Sequence, residues 1–416
     1  MASDTQRGLL SSGTIVLFGI ASWTLGNFLF FVLAARIIGA DEFGLVAALL
    51  AVGVAALVPC GAIQASIGRA VAGGVATPAT VPRLHRISWV WAGAVGLLGT
   101  LTILGLWMLH DIPGAALLIT LFGLLPLVPL HVLLGAIQGR SRFVWSAATM
   151  VVLGWTRPVM LVPLSATIDD RLALAASAGS VAAAYGVAFL FHIRVPRTGD
   201  DRPETVRHIV VPMMAAVAAL LGVGLATNAD VVAGKLGLPA PLAGQFGALA
   251  PLGRTAVLIV PMALGFVLLP RVALLRRSGR PTRPLLGLAA VATVGLGLAT
   301  AIAIAPLTHL IVRIFGPDYA AADHLLVPIV LAAVPLGVVV VTVNHAIALA
   351  RTRLLWLMAA TSLSTIVGLT VFHERVGQLL GVDAASTIAI LVVHDLADRR
   401  GDTLSGGVLD LIRRVR

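Results

Sequence analysis

The stretch Phe31–Leu49, FVLAARIIGADEFGLVAAL, has a counterpart in the second half of the chain, Asp230–Leu249, DVVAGKLGLPAPLAGQFGAL. Each is an apolar run closed by a basic residue, then a Gly-bearing turn, then a new apolar run. Val32, Ala34, Arg36 and Ile37 align with Val231, Ala233, Lys235 and Leu236 at one constant offset. After one extra residue, Gly44, Ala48 and Leu49 align with Gly244, Ala248 and Leu249. Pro59 and Arg69 then match Pro261 and Arg271 with equal spacing. A repeat of this length predicts two halves built to one plan.

The totals say what the plan is made of. Of 416 residues, 59% are hydrophobic and 11% charged, and mean hydropathy is +1.01. Soluble domains carry about 25% charged residues. Apolar runs recur from Leu10–Ala35 to Leu380–Val393, most of them long enough to cross about 30 Å of hydrocarbon as helices. About twelve are expected, among them Ser88–Leu109, Val144–Ser165 and the short final run. The strand alternation of a membrane β-barrel is absent. The fold class expected is therefore an all-α polytopic membrane protein. The start, MASDTQRGLLSSG, lacks a small-residue cleavage site, so the first run is expected to be a retained span. Cys60 is the only cysteine and reads as a packing residue.

Net charge is +11, and all but one of the 29 basic residues are arginine. With the N-terminus placed inside, outside segments hold only Arg36, Arg171, Lys235, Arg313 and Arg375. Nearly all other basic residues fall inside. Basic residues mark cytoplasmic loops, so an even number of spans with both termini cytoplasmic is expected. This bias also accounts for the charge without nucleic acid. Residues 194–208 are polar, charged and Pro-bearing. They divide an N-terminal six-helix bundle, 1–193, from a C-terminal one, 209–394, followed by a basic cytoplasmic tail, 395–416. Arg36 and Lys235 both fall outside and Arg69 and Arg271 both inside, so the halves run parallel. Parallel repeats imply a pseudo-two-fold axis along the membrane normal. They also imply a seam that opens alternately to each side.

At these residues a family likeness becomes visible. SGTIVLFGIASWTLGNFLFFVLAARIIGADEFGLVAALLAV, Ser12–Val52, resembles the opening of the polysaccharide-flippase branch of the multidrug/oligosaccharidyl-lipid/polysaccharide exporter superfamily. The likeness includes an R-x-x-G-x-x-x-[FY]-G turn at Arg36, Gly39, Phe43 and Gly44. TNADVVAGKLG, Thr227–Gly237, resembles the N-A-D segment opening the second half. RIFGPDYAAADHLLVPIVLAAVPLG, Arg313–Gly337, resembles its F-G-x-x-[YF] turn and small-residue helix. The resemblance implies transport of lipid-linked saccharides across a bacterial inner membrane, in contact with membrane lipids and with glycan-assembly enzymes as partners.

Intramembrane charge marks the residues that could bind such a substrate. Arg157 lies midway along the fifth run, just before Pro158, and Arg254 lies within the eighth. A guanidinium keeps its charge and makes forked bonds to phosphate. Both are therefore expected to grip a diphosphate head group. The alternative for each is snorkelling or capping of backbone carbonyls. Asn27 and Asn228 could hydrogen-bond sugars or a neighbouring helix. Asp230, Arg36 and Lys235 complete the candidates, with solvent pairing as their alternative. His131 and His345 read as packed residues.

Acidic residues, Asp230 and Asp383 included, are expected in loops or near span ends, leaving arginine as the buried charge and favouring an anionic substrate. A multidrug or cation antiporter of the same superfamily, which needs a buried carboxylate, is the first alternative. A membrane glycosyltransferase using Asp41 and Glu42 is the second. It is disfavoured by the absence of a long outside loop. Gly234-Lys235 lacks the spacing of a phosphate-binding loop, and no cofactor or metal is expected.

Overall fold

The computed structural model describes residues 2–72, 74, 76, 80–93, 113–162, 169–193, 203–398, 401 and 403–415. Among them there is no strand. An apolar chain in a bilayer can satisfy its backbone polar groups only within helices or closed barrels. The helices are α1 (Ala2–Ile38), α2 (Ala40–Ala72), α3 (80–93), α4 (Gly114–Leu124), α5 (Leu127–Gly139), α6 (Phe143–Leu161) and α7 (Asp170–Ile193). They continue with α8 (Pro203–Gly237), α9 (Ala240–Arg277), α10 (Arg283–Ile304), α11 (Thr308–Arg313), α12 (Asp323–Ala348), α13 (Thr352–Val371), α14 (Val376–Ala397) and α15 (Leu404–Val415).

Ten spans among the described residues are long and apolar enough to cross a membrane. The chain is thus a multi-pass, all-α membrane protein. Of the other two expected spans, one is α6, which carries Arg157 and is less apolar. The other, Ser88–Leu109, is described only as far as residue 93, and its remainder lies outside the described residues. Most of the expected linker, 194–202, lies outside them as well. The short final run is extended by the structure. α14 spans 22 residues, Val376–Ala397, running past both ends of the expected Leu380–Val393 and through His394. The fourth span is broken at Pro126 into α4 and α5. Proline has no N–H to donate to the preceding turn.

The chain divides into two compact units. One comprises Met1–Ile38 and Cys60–Met213, the other Gly39–Pro59 and Met214–Arg416. In the first, α1 packs along α6, α6 along α7, and α4 and α5 against α7. In the second, α12 is the hub, packed on α9, α10, α13 and α14. Its apolar core includes Val339, Val343, Leu355, Met358 and Ile390.

The two opening motifs end their helices alike. α1 closes with Arg36 and α8 with Lys235, each just before a turn into the next helix. Gly39 has φ +82°, a left-handed conformation that glycine adopts without penalty. Within the second unit, a Cβ on Gly44 would lie 3.2 Å from the Gly244 nitrogen. The matching glycines of the repeat thus lie side by side, and a Cβ on Gly244 would in turn run into the Ala40 carbonyl. The F-G-x-x-[YF] turn has a similar logic. Gly316 takes φ 119°, while Phe315 and Tyr319 are buried with ring centroids 5.8 Å apart.

Candidate functional site

In the first unit, small residues determine where polar groups can meet. A Cβ on Gly26 of α1 would lie 2.6 Å from the Gly154 carbonyl of α6, and one on Gly154 2.7 Å from the Trp23 Cα. This close crossing brings the two backbones together. Trp155 Nε1–H donates to Ser22 Oγ at 2.9 Å on the same seam. Three residues beyond Gly154, Arg157 Nη1–H donates at 2.9 Å to Oδ1 of Asn27, the residue after Gly26. Its Nε–H donates to Ser180 Oγ of α7, also at 2.9 Å. The guanidinium carbon sits 5.8 Å from the Phe30 ring centroid, a cation–π arrangement. Ser180 Oγ–H itself donates to the Ser177 carbonyl at 2.7 Å. These partners of Arg157 are all neutral, so they orient the guanidinium without cancelling its charge. Sequence reasoning anticipated Arg157 and Asn27, but not that they would meet, nor Ser180.

The second unit holds a different arrangement. Arg254 of α9 forms a buried ion pair with Asp230 of α8 through Nη2. The same nitrogen reaches Asp383 Oδ2 of α14 at 3.2 Å, and Nη1 donates to the Thr227 carbonyl. The Arg254 and Asp383 side chains are 6% and 8% exposed, and Asp230 is fully buried. Asp230 Oδ1 accepts the Val231 N–H at 2.8 Å. Asp383 Oδ1 is buried with no hydrogen-bond partner among the described residues.

The structure thus corrects the sequence expectation on acids. Expected in loops or near span ends, Asp230 and Asp383 are instead buried within α8 and α14, so arginine is not the only buried charge; one guanidinium between them offsets their desolvation. Arg254 is correspondingly neutralised and is not a cation free to grip phosphate. With both carboxylates ionised the cluster carries a net charge of −1.

The remaining candidates are not drawn into either cluster. Asn228 spends an amide hydrogen on the Gly224 carbonyl of its own helix at 2.8 Å. Arg36 is exposed at the end of α1, and Lys235 is half-buried near the end of α8. His131 bonds the Leu127 carbonyl of its own helix at 2.8 Å and His345 the Thr282 hydroxyl at 3.1 Å, as packed histidines do.

No family model matches the sequence, and no curated protein matches it. Solved structures do. A multidrug-resistance MATE-family transporter of the MOP superfamily, in an inward-facing conformation, is similar over 94% of both chains at 13% identity, TM-score 0.66. The eukaryotic MATE transporter AtDTX14 is similar over 98% of this chain and 100% of its own at 14% identity, TM-score 0.66. The lipid II flippase MurJ, in an inward closed conformation, is similar over 96% of this chain and 91% of its own at 14% identity, TM-score 0.66.

The chain has the MOP-superfamily fold.

Within that fold, the missed residue of consequence is Asp383. Its signal was a lone acid inside an apolar run, but the partner that explains it is far away in sequence, on α9.

Proposed function

We infer that this MOP-fold chain is a transporter that flips a polyprenyl-diphosphate-linked oligosaccharide across the bacterial inner membrane. It works by alternating access, with the halves 1–193 and 209–394 as its two bundles and both termini cytoplasmic. The observation that carries this reading is Arg157, a cation inside a span whose partners Asn27, Ser180 and Phe30 are neutral. A guanidinium so placed attracts an anion, and phosphate suits its fork. Asn27 beside it offers an amide to sugar hydroxyls. The sequence motifs of the polysaccharide-flippase branch support the same substrate class, as does the shared fold of a lipid II flippase. Arg254, held by two carboxylates, has no part in the grip.

The test is relocation of a fluorescent lipid-linked oligosaccharide in sealed proteoliposomes. Arg157→Ala should lower the flipping rate at least tenfold while leaving the protein inserted and folded, since about 1.5–3 kcal/mol is at stake in a charged hydrogen bond. Normal flipping by that variant would refute the reading. A transferase would instead release free carrier lipid.

A second reading, cation-coupled export of a drug, is favoured by one observation: Asp230 and Asp383 share a single guanidinium. The surplus negative charge could be balanced by a proton or a cation. Loss of ion-driven uptake in Asp383→Asn, with the lipid-linked glycan left unmoved by the wild type, would support that reading over the first.

A further inference from the structure

The last helix, α15, follows the final span and is too short to cross a membrane. It is held where spans end. Leu404 packs on a core that includes Val272, Leu286 and Leu349. Val272 lies beyond the apolar part of α9, Leu286 near the start of α10, and Leu349 just past α12. Two Asp395 carboxylate oxygens at the end of α14 accept the Leu404 and Ser405 N–H groups. These contacts place α15 at the boundary where α10 begins and α14 finishes.

Helical spacing divides α15 into three sides. One side docks on α10. A Cβ on Gly407 would lie 2.3 Å from the Arg283 carbonyl oxygen, and one on Gly287 2.3 Å from the Gly407 carbonyl carbon. The second side is apolar and wider than that contact. Val408 and Ile412 lie one turn apart with Leu409 beside them, and Leu409 and Ile412 are 53% and 47% exposed. The third side is charged. It carries Asp410, which accepts from Arg283 at 2.6 Å, and Arg413, which is exposed one turn after Leu409. Asp410 is thus spent on α10, while Arg413 borders the exposed apolar strip. Arg414 and Arg416 add basic charge to the same short segment. On α10 itself, Leu288 and Val291, just past Gly287, are also exposed, so greasy surface continues on both sides of the glycine crossing.

We propose that α15 is an interfacial anchor that seats on anionic lipid in the leaflet beside which α10 begins. Leu409 and Ile412 dip among the upper acyl chains, and Arg413 lies against lipid phosphate. An amphipathic helix whose apolar side is bordered by arginine binds a membrane surface in this way. Basic residues next to a span add attraction to anionic head groups. The position at the span ends puts both sides of the helix at the right depth at once. Docking by Gly407 on α10 then fixes the level at which α10 and α14 leave the membrane. The anchor does not depend on what the chain transports, since neither buried charge cluster takes part in it.

The experiment is spin-label accessibility in the full chain, reconstituted in phosphatidylglycerol vesicles on a Cys60→Ala background. Nitroxides are attached in turn to Ile412→Cys and Arg413→Cys. Both positions are exposed, so the labelled variants keep the fold. Oxygen concentrates among acyl chains and a nickel chelate stays in water. The ratio of oxygen to nickel accessibility should be about threefold higher at 412 than at 413, with a label at Leu409→Cys following 412. Equal, water-like accessibility at 412 and 413 overturns the proposal. Shielding of 412 from both reagents also overturns it, and line broadening between labels would then identify a second copy of the chain as the cover. Exchanging phosphatidylglycerol for phosphatidylcholine should raise nickel accessibility at 412 about fivefold, and Arg413→Gln should remove most of that difference. Accessibility that ignores lipid charge overturns the anionic part of the assignment.

Discussion

Replacing Arg254 by methionine tests the charge arithmetic of the second unit. The substitution keeps an apolar stem of similar length and deletes the one positive charge. It leaves Asp230, with no exposed surface, and Asp383, nearly buried, facing each other. Removing one partner of a buried ion pair costs about 3–5 kcal/mol. At about 2–4 °C per kcal/mol for a unit of this size, the melting temperature should fall on the order of 10 °C. Asp383→Asn should behave differently. It removes the second carboxylate and leaves the Arg254–Asp230 pair intact, so its melt should stay within about 3 °C of the wild type. The triple variant R254M/D230N/D383N replaces the charges by neutral groups and should recover most of the loss. The assay is thermal unfolding in one detergent, followed by intrinsic tryptophan fluorescence. If R254M melts with the wild type, or if D383N is as damaging as R254M, the three groups do not form the compensated cluster described.

Gly154→Leu should cost about 1–3 kcal/mol by overpacking the α1–α6 crossing. It should also draw Asn27 away from Arg157, so combining it with Asn27→Ala should be non-additive in a double-mutant cycle of flipping rates. Asp410→Ala breaks the partly exposed Arg283–Asp410 pair (2.6 Å) that joins α10 to α15. Such pairs contribute less than about 1 kcal/mol, so the global melt should barely move while amide exchange in α15 speeds up.

The architecture was legible in the sequence because span length, charge bias and turn glycines act locally. Gly39 could be assigned to a turn from neighbours a few residues away, and Gly316 likewise, though Phe43 and Gly44, expected in the same turn, lie within α2. The acids were not legible in the same way. A window of apolar residues assigns Asp230 and Asp383 to span ends, since an uncompensated carboxylate in hydrocarbon is prohibitive. The compensation comes from Arg254 on another helix, and only tertiary packing brings the three together. Arg157 was identified as an intramembrane charge, yet its contact with Asn27 follows from the glycine crossing, which sequence alone does not locate. The segment after α14 read as a basic tail. Its apolar positions Leu404, Val408, Leu409 and Ile412 follow helical spacing, and the structure forms α15 there, capped by Asp395 carboxylate oxygens 2.6 Å from the Leu404 N–H and 2.9 Å from the Ser405 N–H.

The two sides of α1 must age differently under mutation. Gly19 and Gly26, a heptad apart, abut Ala147 and Gly154, a heptad apart on α6, with no space for even a methyl group at Gly26. Phe18 and Leu25, one position earlier in each heptad, are 66% and 55% exposed and can exchange with any greasy residue. Over generations the helix should keep a frozen stripe of its smallest residues alongside a face of freely interchangeable large ones. A lineage in which that stripe gained bulk would have to have moved its buried arginine as well.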